Sequence, residues 1–154
     1  MLRSHVFRIG LALGVLVASI ASAGVDPSVD EKLRTAKEIY VATERSDGTR
    51  SSAAPVWFMY DDGLLFFSTL SSSHKARRLR DGGRVWVNVG AADGPSFEGR
   101  GEVVNDPARV DRMAEHYRKK YWIAWLGFFV PRQSRVAAGK TVIIRITPGA
   151  APGR

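Results

Sequence analysis

Tyr40–Thr69 reads YVATERSDGTRSSAAPVWFMYDDGLLFFST, three apolar runs separated by two turn signals. Around the first run, Ile39, Val41 and Thr43 fall on one face and Tyr40 and Ala42 on the other, the period-two pattern of a strand over Glu38–Arg45. Asp47-Gly48 and Asp61-Asp62-Gly63 mark sharp reversals, because glycine accepts the positive φ that a tight hairpin turn demands. Three hairpin-linked strands are therefore expected, over Glu38–Arg45, Ser51–Tyr60 and Leu64–Thr69. Pro55 interrupts the middle one. It has no N–H for a ladder, so it marks an edge, a bulge or a point where pairing opens.

Outward from this run, Ser68–Ser73 is a hydroxyl-rich loop, and His74-Lys75 opens a short basic helix that Asp81-Gly82-Gly83 ends. Hydroxyls, free N–H groups at a helix start and a lysine together suit a phosphate. The bland alternative is a flexible serine linker followed by a solvated basic helix face carrying Arg77, Arg78 and Arg80. Arg84–Ala91 is a fourth strand, with Val85, Val87 and Val89 on one face. Ser96–Val104 is a fifth, in which Gly99 and Gly101 leave one face bare for a bulge or for a close neighbour. Asn105-Asp106-Pro107 is a helix start, followed by Val110, Met113, Ala114, Tyr117 and Tyr121 at helical spacing. His116 and Tyr117 on that helix read as structural. Trp122–Val130 is dense in aromatics and suits core or a subunit contact. Thr141–Thr147 alternates as the closing strand. Towards the N-terminus, Asp26–Ala36 forms a short capped helix. The sum is a mainly β (α+β) domain over 24–148, a six-stranded antiparallel barrel with two to three short helices packed outside and a disordered tail over 149–154.

The 154 residues suit one core, and the absence of cysteine excludes disulfides and thiolate metal sites. Three scattered histidines argue against a zinc site. The formal charge is +8, and removing Arg3 and Arg8 with residues 1–23 leaves +6. That excess draws nucleic acid, a membrane surface or an anionic small ligand. Its arginines are dispersed rather than massed, which favours the small phosphorylated ligand over nucleic acid.

Residues 1–23 read as an export signal: basic Arg3 and Arg8, the apolar Ile9–Ile20, and Ala21-Ser22-Ala23 as a cleavage pattern. Cleavage there yields an exported, periplasmic protein with no stable membrane insertion. An uncleaved anchor, or a cytoplasmic protein whose start codon is misassigned, are the alternatives.

Three segments resemble the pyridoxamine-phosphate-oxidase-like split barrels, which bind flavin or deazaflavin. They are the hairpin already quoted, SSSHKARRLRDGGRVWVNV at 71–89, and FEGRGEVVNDPARV at 97–110. The resemblance implies a split barrel that pairs as a homodimer, with its cofactor in a cleft between subunits. It places Ser68, Thr69, Ser73, His74 and Lys75 at the cofactor phosphate, and Pro55, Val56 and Trp57 beside the ring. His74-Lys75 stands where the flavin mononucleotide oxidases commonly carry Arg-Lys, and apolar APVWF replaces their basic second strand. Those departures keep deazaflavin and haem open beside flavin mononucleotide. No catalytic side chain is named, since in flavin chemistry the ring carries the hydride. The expectation is an oxidoreductase acting on a small molecule; the alternative is a non-catalytic flavin- or haem-binding module of the same fold.

Overall fold

The computed structural model describes residues 24–149 apart from 105 and 128. The expected export signal and all of the expected tail but Gly149 lie outside them. Strands β1 (Glu38–Thr43), β2 (Ala54–Trp57), β3 (Met59–Asp61), β4 (Leu64–Leu70), β5 (Gly83–Val89), β6 (Ser96–Val104) and β7 (Thr141–Pro148) form one antiparallel sheet in the order β2-β1-β5-β6-β7-β4-β3. The count is seven rather than six because the middle strand of the opening run breaks at Phe58. Its first half pairs with β1, from Glu38↔Trp57 to Val41↔Ala54, while its second half pairs with β4. Those two partners sit near opposite ends of the sheet, so the sheet must curl until its two end strands, consecutive in the chain, meet. Phe58, fully buried, is the whole of the seam. Pro55 sits just before it, on an end strand, where a missing donor costs no ladder bond.

The hairpin between β3 and β4 turns at Asp62 and Gly63, with φ of 51° and 73°, the paired positive angles a two-residue turn requires. Side-chain alternation then divides the sheet. Ile39, Val41, Leu65, Phe67, Val85, Val87, Val89, Ile144 and Ile146 point into the barrel, and Leu33 of helix α1 (Pro27–Thr35) joins them. Met59, Phe66 and Ile143 point outward and are covered by helix α3 (Pro107–Lys120) through Val110, Met113, Ala114 and Tyr117. Asp26 caps α1 by accepting from the Ser28 N–H at 2.8 Å, and Asp106 caps α3 by accepting from the Ala108 N–H at 3.1 Å. Helix α2 (His74–Arg78), a 3-10 turn (Trp122–Leu126) and helix α4 (Gln133–Ala137) complete the order, more helical segments than the sequence suggests.

The bare face of β6 has a defined use at each glycine. A Cβ on Gly101 would lie 2.9 Å from Leu79 Cδ1 and 3.0 Å from Val85 Cγ1, so its absence admits the buried Leu79 that follows α2. A Cβ on Gly99 would lie 2.5 Å from the Thr147 carbonyl oxygen. Backbone cannot swing aside as a side chain can. Gly99→Ala should therefore force β6 and β7 apart locally and destabilise the protein by about 1–3 kcal/mol, the range of an overpacked core. Urea unfolding checks this; an unchanged midpoint would mean that the two strands separate there without cost.

Candidate functional site

The break at Phe58 is held from outside by two tyrosines of the α3 end. The Tyr117 hydroxyl donates to the Trp57 carbonyl at 2.7 Å, and the Phe58 N–H donates to the Tyr121 hydroxyl at 3.2 Å. Tyr121 in turn donates to the Lys37 carbonyl. Burial is the chief reason both phenols are held above their usual range, Tyr117 well above it and Tyr121 at about 12, so both remain protonated donors at neutral pH. The same residues fix the Trp57 ring. It stacks on Tyr121 at 4.1 Å with 3° between planes, and meets Tyr117 edge-on at 6.0 Å and Phe129 at 5.4 Å. Offset stacks and edge contacts of this kind each contribute about 0.5–1.5 kcal/mol beyond the area they bury.

Beside this aromatic group opens a cleft of about 730 Å³. Five of the eight sequence-predicted site residues line it: Pro55, Val56 and Trp57 from β2, and Ser68 and Thr69 from β4. β2 lies at the end of the sheet order, and Ser68 and Thr69 mark the end of β4 where the loop begins. The curl that brings β2 round to β3 is what brings these two stretches together. A volume in this range, mostly apolar walls and a few converging polar groups are the usual form of a small-molecule site.

Ser73, His74 and Lys75 are not among the lining residues. The Ser73 hydroxyl caps α2, accepting from the Ala76 N–H at 3.1 Å, and also accepts from the Thr69 hydroxyl at 3.1 Å. His74 Nδ1 lies 2.8 Å from an Arg77 guanidinium nitrogen. Arginine only donates, so Nδ1 is the acceptor and the neutral ring carries its proton on Nε2. Lys75 is half-buried, and among the described residues it has no ion-pair partner. Burial first, and the Arg78 charge second, hold its ammonium below the usual lysine range. Helix α2 has only five residues, so its dipole adds little.

The sequence reading passed over 131–140, and there the structure supplies two cations. Arg132 and Arg135 line the cleft. Arg132 donates to the Gly127 carbonyl at 3.2 Å and Arg135 to the Thr141 hydroxyl at 3.3 Å; among the described residues neither forms an ion pair. The available signal was two arginines between Pro131 and the closing strand in a segment with no strand pattern. The aromatic run divides: Ala124 and Val130 are buried, while Trp122, Leu126 and Phe129 are 79, 64 and 74% exposed. The Phe129 ring forms part of the cleft wall. Among the described residues no three His, Asp or Glu side chains converge as a metal site, and no helix is long and apolar enough to cross a membrane.

Residues 25–151 match the family model described as pyridoxamine 5'-phosphate oxidase. No curated protein matches. Among solved structures, the chain is similar to an F420 reductase, at 26% identity over 82% of this chain and 97% of that one, TM-score 0.55. It is also similar to a haem storage protein from Vibrio cholerae, at 13% identity over 83% and 92%, TM-score 0.57. A third is a FAD-binding protein from Mesorhizobium loti, at 19% identity over 80% and 90%, TM-score 0.54.

Proposed function

Since the chain belongs to the pyridoxamine 5'-phosphate oxidase family, we propose that it is an oxidoreductase holding a flavin-type cofactor in the cleft between β2 and β4. Flavin mononucleotide is the first choice and deazaflavin the second. The observation that carries this reading is the convergence of Pro55–Trp57 and Ser68-Thr69, stretches apart in sequence, on one cleft that Arg132 and Arg135 also line.

The residues present fit such a group. The β2 backbone, at the end of the sheet order, offers ladder groups on its outer side to the polar edge of a planar heterocycle. Trp57, held by Tyr121 and Tyr117, supplies a stiff apolar wall. The Ser68 hydroxyl with a cation at the mouth holds the phosphate, and the Thr69 hydroxyl joins it by turning its proton away from Ser73. Lys75 is the family-implied cation; Arg132 and Arg135 are the ones at the cleft itself. A bound flavin accepts and donates hydride, and the chain's part is to bind it, orient it and exclude water. His74 accepts from Arg77 at Nδ1, so its ring proton sits on Nε2, the nitrogen a haem iron would need bare.

Two further parts belong to this reading. A second copy of the chain closes the cleft: Leu126 and Phe129, exposed apolar side chains by the cleft mouth, with Leu70 at 54% exposure, are the surface such a contact would bury. Export by the 1–23 segment delivers the protein to the periplasm, where the cofactor is acquired after translocation.

The absorbance spectrum of the purified protein, mixed with flavin mononucleotide and passed over a desalting column, tests the assignment. A retained yellow chromophore that dithionite bleaches is expected, with a sedimentation mass of two chains and an N-terminal mass beginning at Gly24. A Soret band in place of flavin absorbance would transfer the cleft to haem, and neither band would sink the reading.

A further inference from the structure

Behind Trp57 lies a second cleft, of about 530 Å³, that the flavin reading leaves unused. Three lysines line it: Lys32 of α1, Lys37 ahead of β1 and Lys120 at the end of α3. The other walls include Glu38, Trp57 and the exposed Trp122. Among the described residues Glu38 is the one carboxylate there, and it already accepts from the Tyr40 hydroxyl at 3.0 Å.

Elsewhere this chain pairs many of its cations. Arg34 meets Asp30, Arg84 meets Glu98, Arg109 and Arg112 share Asp61, Lys119 meets Glu115 and Arg145 meets Glu102. Among the described residues Lys32, Lys37 and Lys120 form no such pair. Lys120 is the most constrained of them. Its ammonium lies 3.8 Å from the Phe58 ring centroid and 3.5 Å from the Phe58 carbonyl oxygen, and burial pulls its pKa down to about 8. Three cations, from α1, the link after it and the end of α3, facing one concavity repel one another when it is empty, and the repulsion is relieved by a bound negative charge.

We propose that this second cleft is a subsite for the anionic group, carboxylate or phosphate, of a small molecule, seated among Lys32, Lys37 and Lys120 with its apolar part against Trp122. Trp57 and Glu38 belong to both clefts, so the far end of such a molecule meets the first cleft across the Trp57 ring. Naming that molecule as the substrate rests on the cofactor reading; the anion site does not.

Isothermal titration calorimetry of the purified protein at constant ionic strength, with inorganic phosphate and with benzoate as probes, tests it. Saturable binding of at least one probe is expected, and which probe binds more tightly distinguishes a phosphate from a carboxylate ligand. Lys120→Gln should weaken it about tenfold or more, the scale of one charge-assisted hydrogen bond. Lys37→Gln, at an exposed position outside the core, should weaken it in the same direction and keeps the test standing if the Lys120 variant fails to fold. Lys119→Gln removes equal charge from the same helix but does not line the cleft, and should change nothing. No saturable heat with either probe, or equal weakening by Lys119→Gln and Lys120→Gln, overturns the proposal. Flavin mononucleotide titrated into the same samples reads the first cleft separately. Flavin binding without anion binding removes the subsite alone, and the converse removes the cofactor reading alone.

Discussion

Tyr117→Ala is expected to lower the unfolding free energy by about 3–5 kcal/mol, the range for deleting a large buried aromatic side chain. Tyr117 is 1% exposed, packs among the α3 residues that cover the outer face of β3, β4 and β7, and meets the rings of both Trp57 and Tyr121. The deletion leaves a cavity, strips the Trp57 carbonyl of its donor and removes one of the walls that orient the Trp57 ring. Tyr117→Phe separates these effects: it keeps the packing and withdraws only the hydroxyl, so about 1–3 kcal/mol should go. Urea denaturation gives both values, and near-ultraviolet circular dichroism reads the immobilisation of the tryptophan. If the alanine variant loses under 1 kcal/mol, the region around the seam is looser than its contacts imply and cannot hold a ring in place.

Lys75→Ala should weaken flavin mononucleotide binding about ten- to a hundredfold, since a hydrogen bond to a charged group contributes about 1.5–3 kcal/mol. Ser73 cannot supply that charge: its oxygen accepts from the Ala76 N–H and the Thr69 hydroxyl, and the one proton left to it is a neutral donor. The competing outcome is equally concrete. Lys75 does not line the cleft and Arg135 does, so Arg135→Gln would show the loss, and Lys75→Ala would not, if the phosphate sits at the α4 side. Fluorescence titration of both variants decides between them. The pH dependence has a definite sign. Partial burial and Arg78 already favour the neutral form of Lys75, and a bound anion favours the charged form. Affinity that depends on Lys75 should therefore fall as pH rises through the pKa of that group, and should do so at lower pH than for an ordinary exposed lysine.

The barrel was readable because its inward residues alternate with few exceptions and its turns carry Asp-Gly pairs. Pro55 announced an edge strand, though the break itself falls three residues on at Phe58, and Gly99 and Gly101 announced a close approach. What periodicity could not show is that the two halves of that strand belong to opposite ends of the sheet. That depends on long-range pairing, of β2 with β1 and of β3 with β4, which no local pattern encodes. The site divides the same way. Strand residues 55–57 and 68–69 could be placed together once the barrel was expected. The loop cations Arg132 and Arg135 could not, because a polar segment carries no period and its position follows from where α3 ends. Tyr117 and Tyr121 read as ordinary core from their spacing; that their hydroxyls serve the backbone at Phe58 needs coordinates.

The single-residue seam has a mechanical consequence. Around most of its circumference the wall is stitched by backbone hydrogen bonds, but between Trp57 and Met59 no strand ladder joins the described residues, and the chain is held there by side chains of the α3 end, chiefly two phenolic clasps. Such a wall yields first where the rungs are missing, much as a hoop bends at its buckle. The groove that would receive a guest runs alongside that buckle, so whatever wedges in there pulls on the most compliant line of the molecule, and the amides on either side of it should be the first to quicken or slow in deuterium exchange when the groove fills.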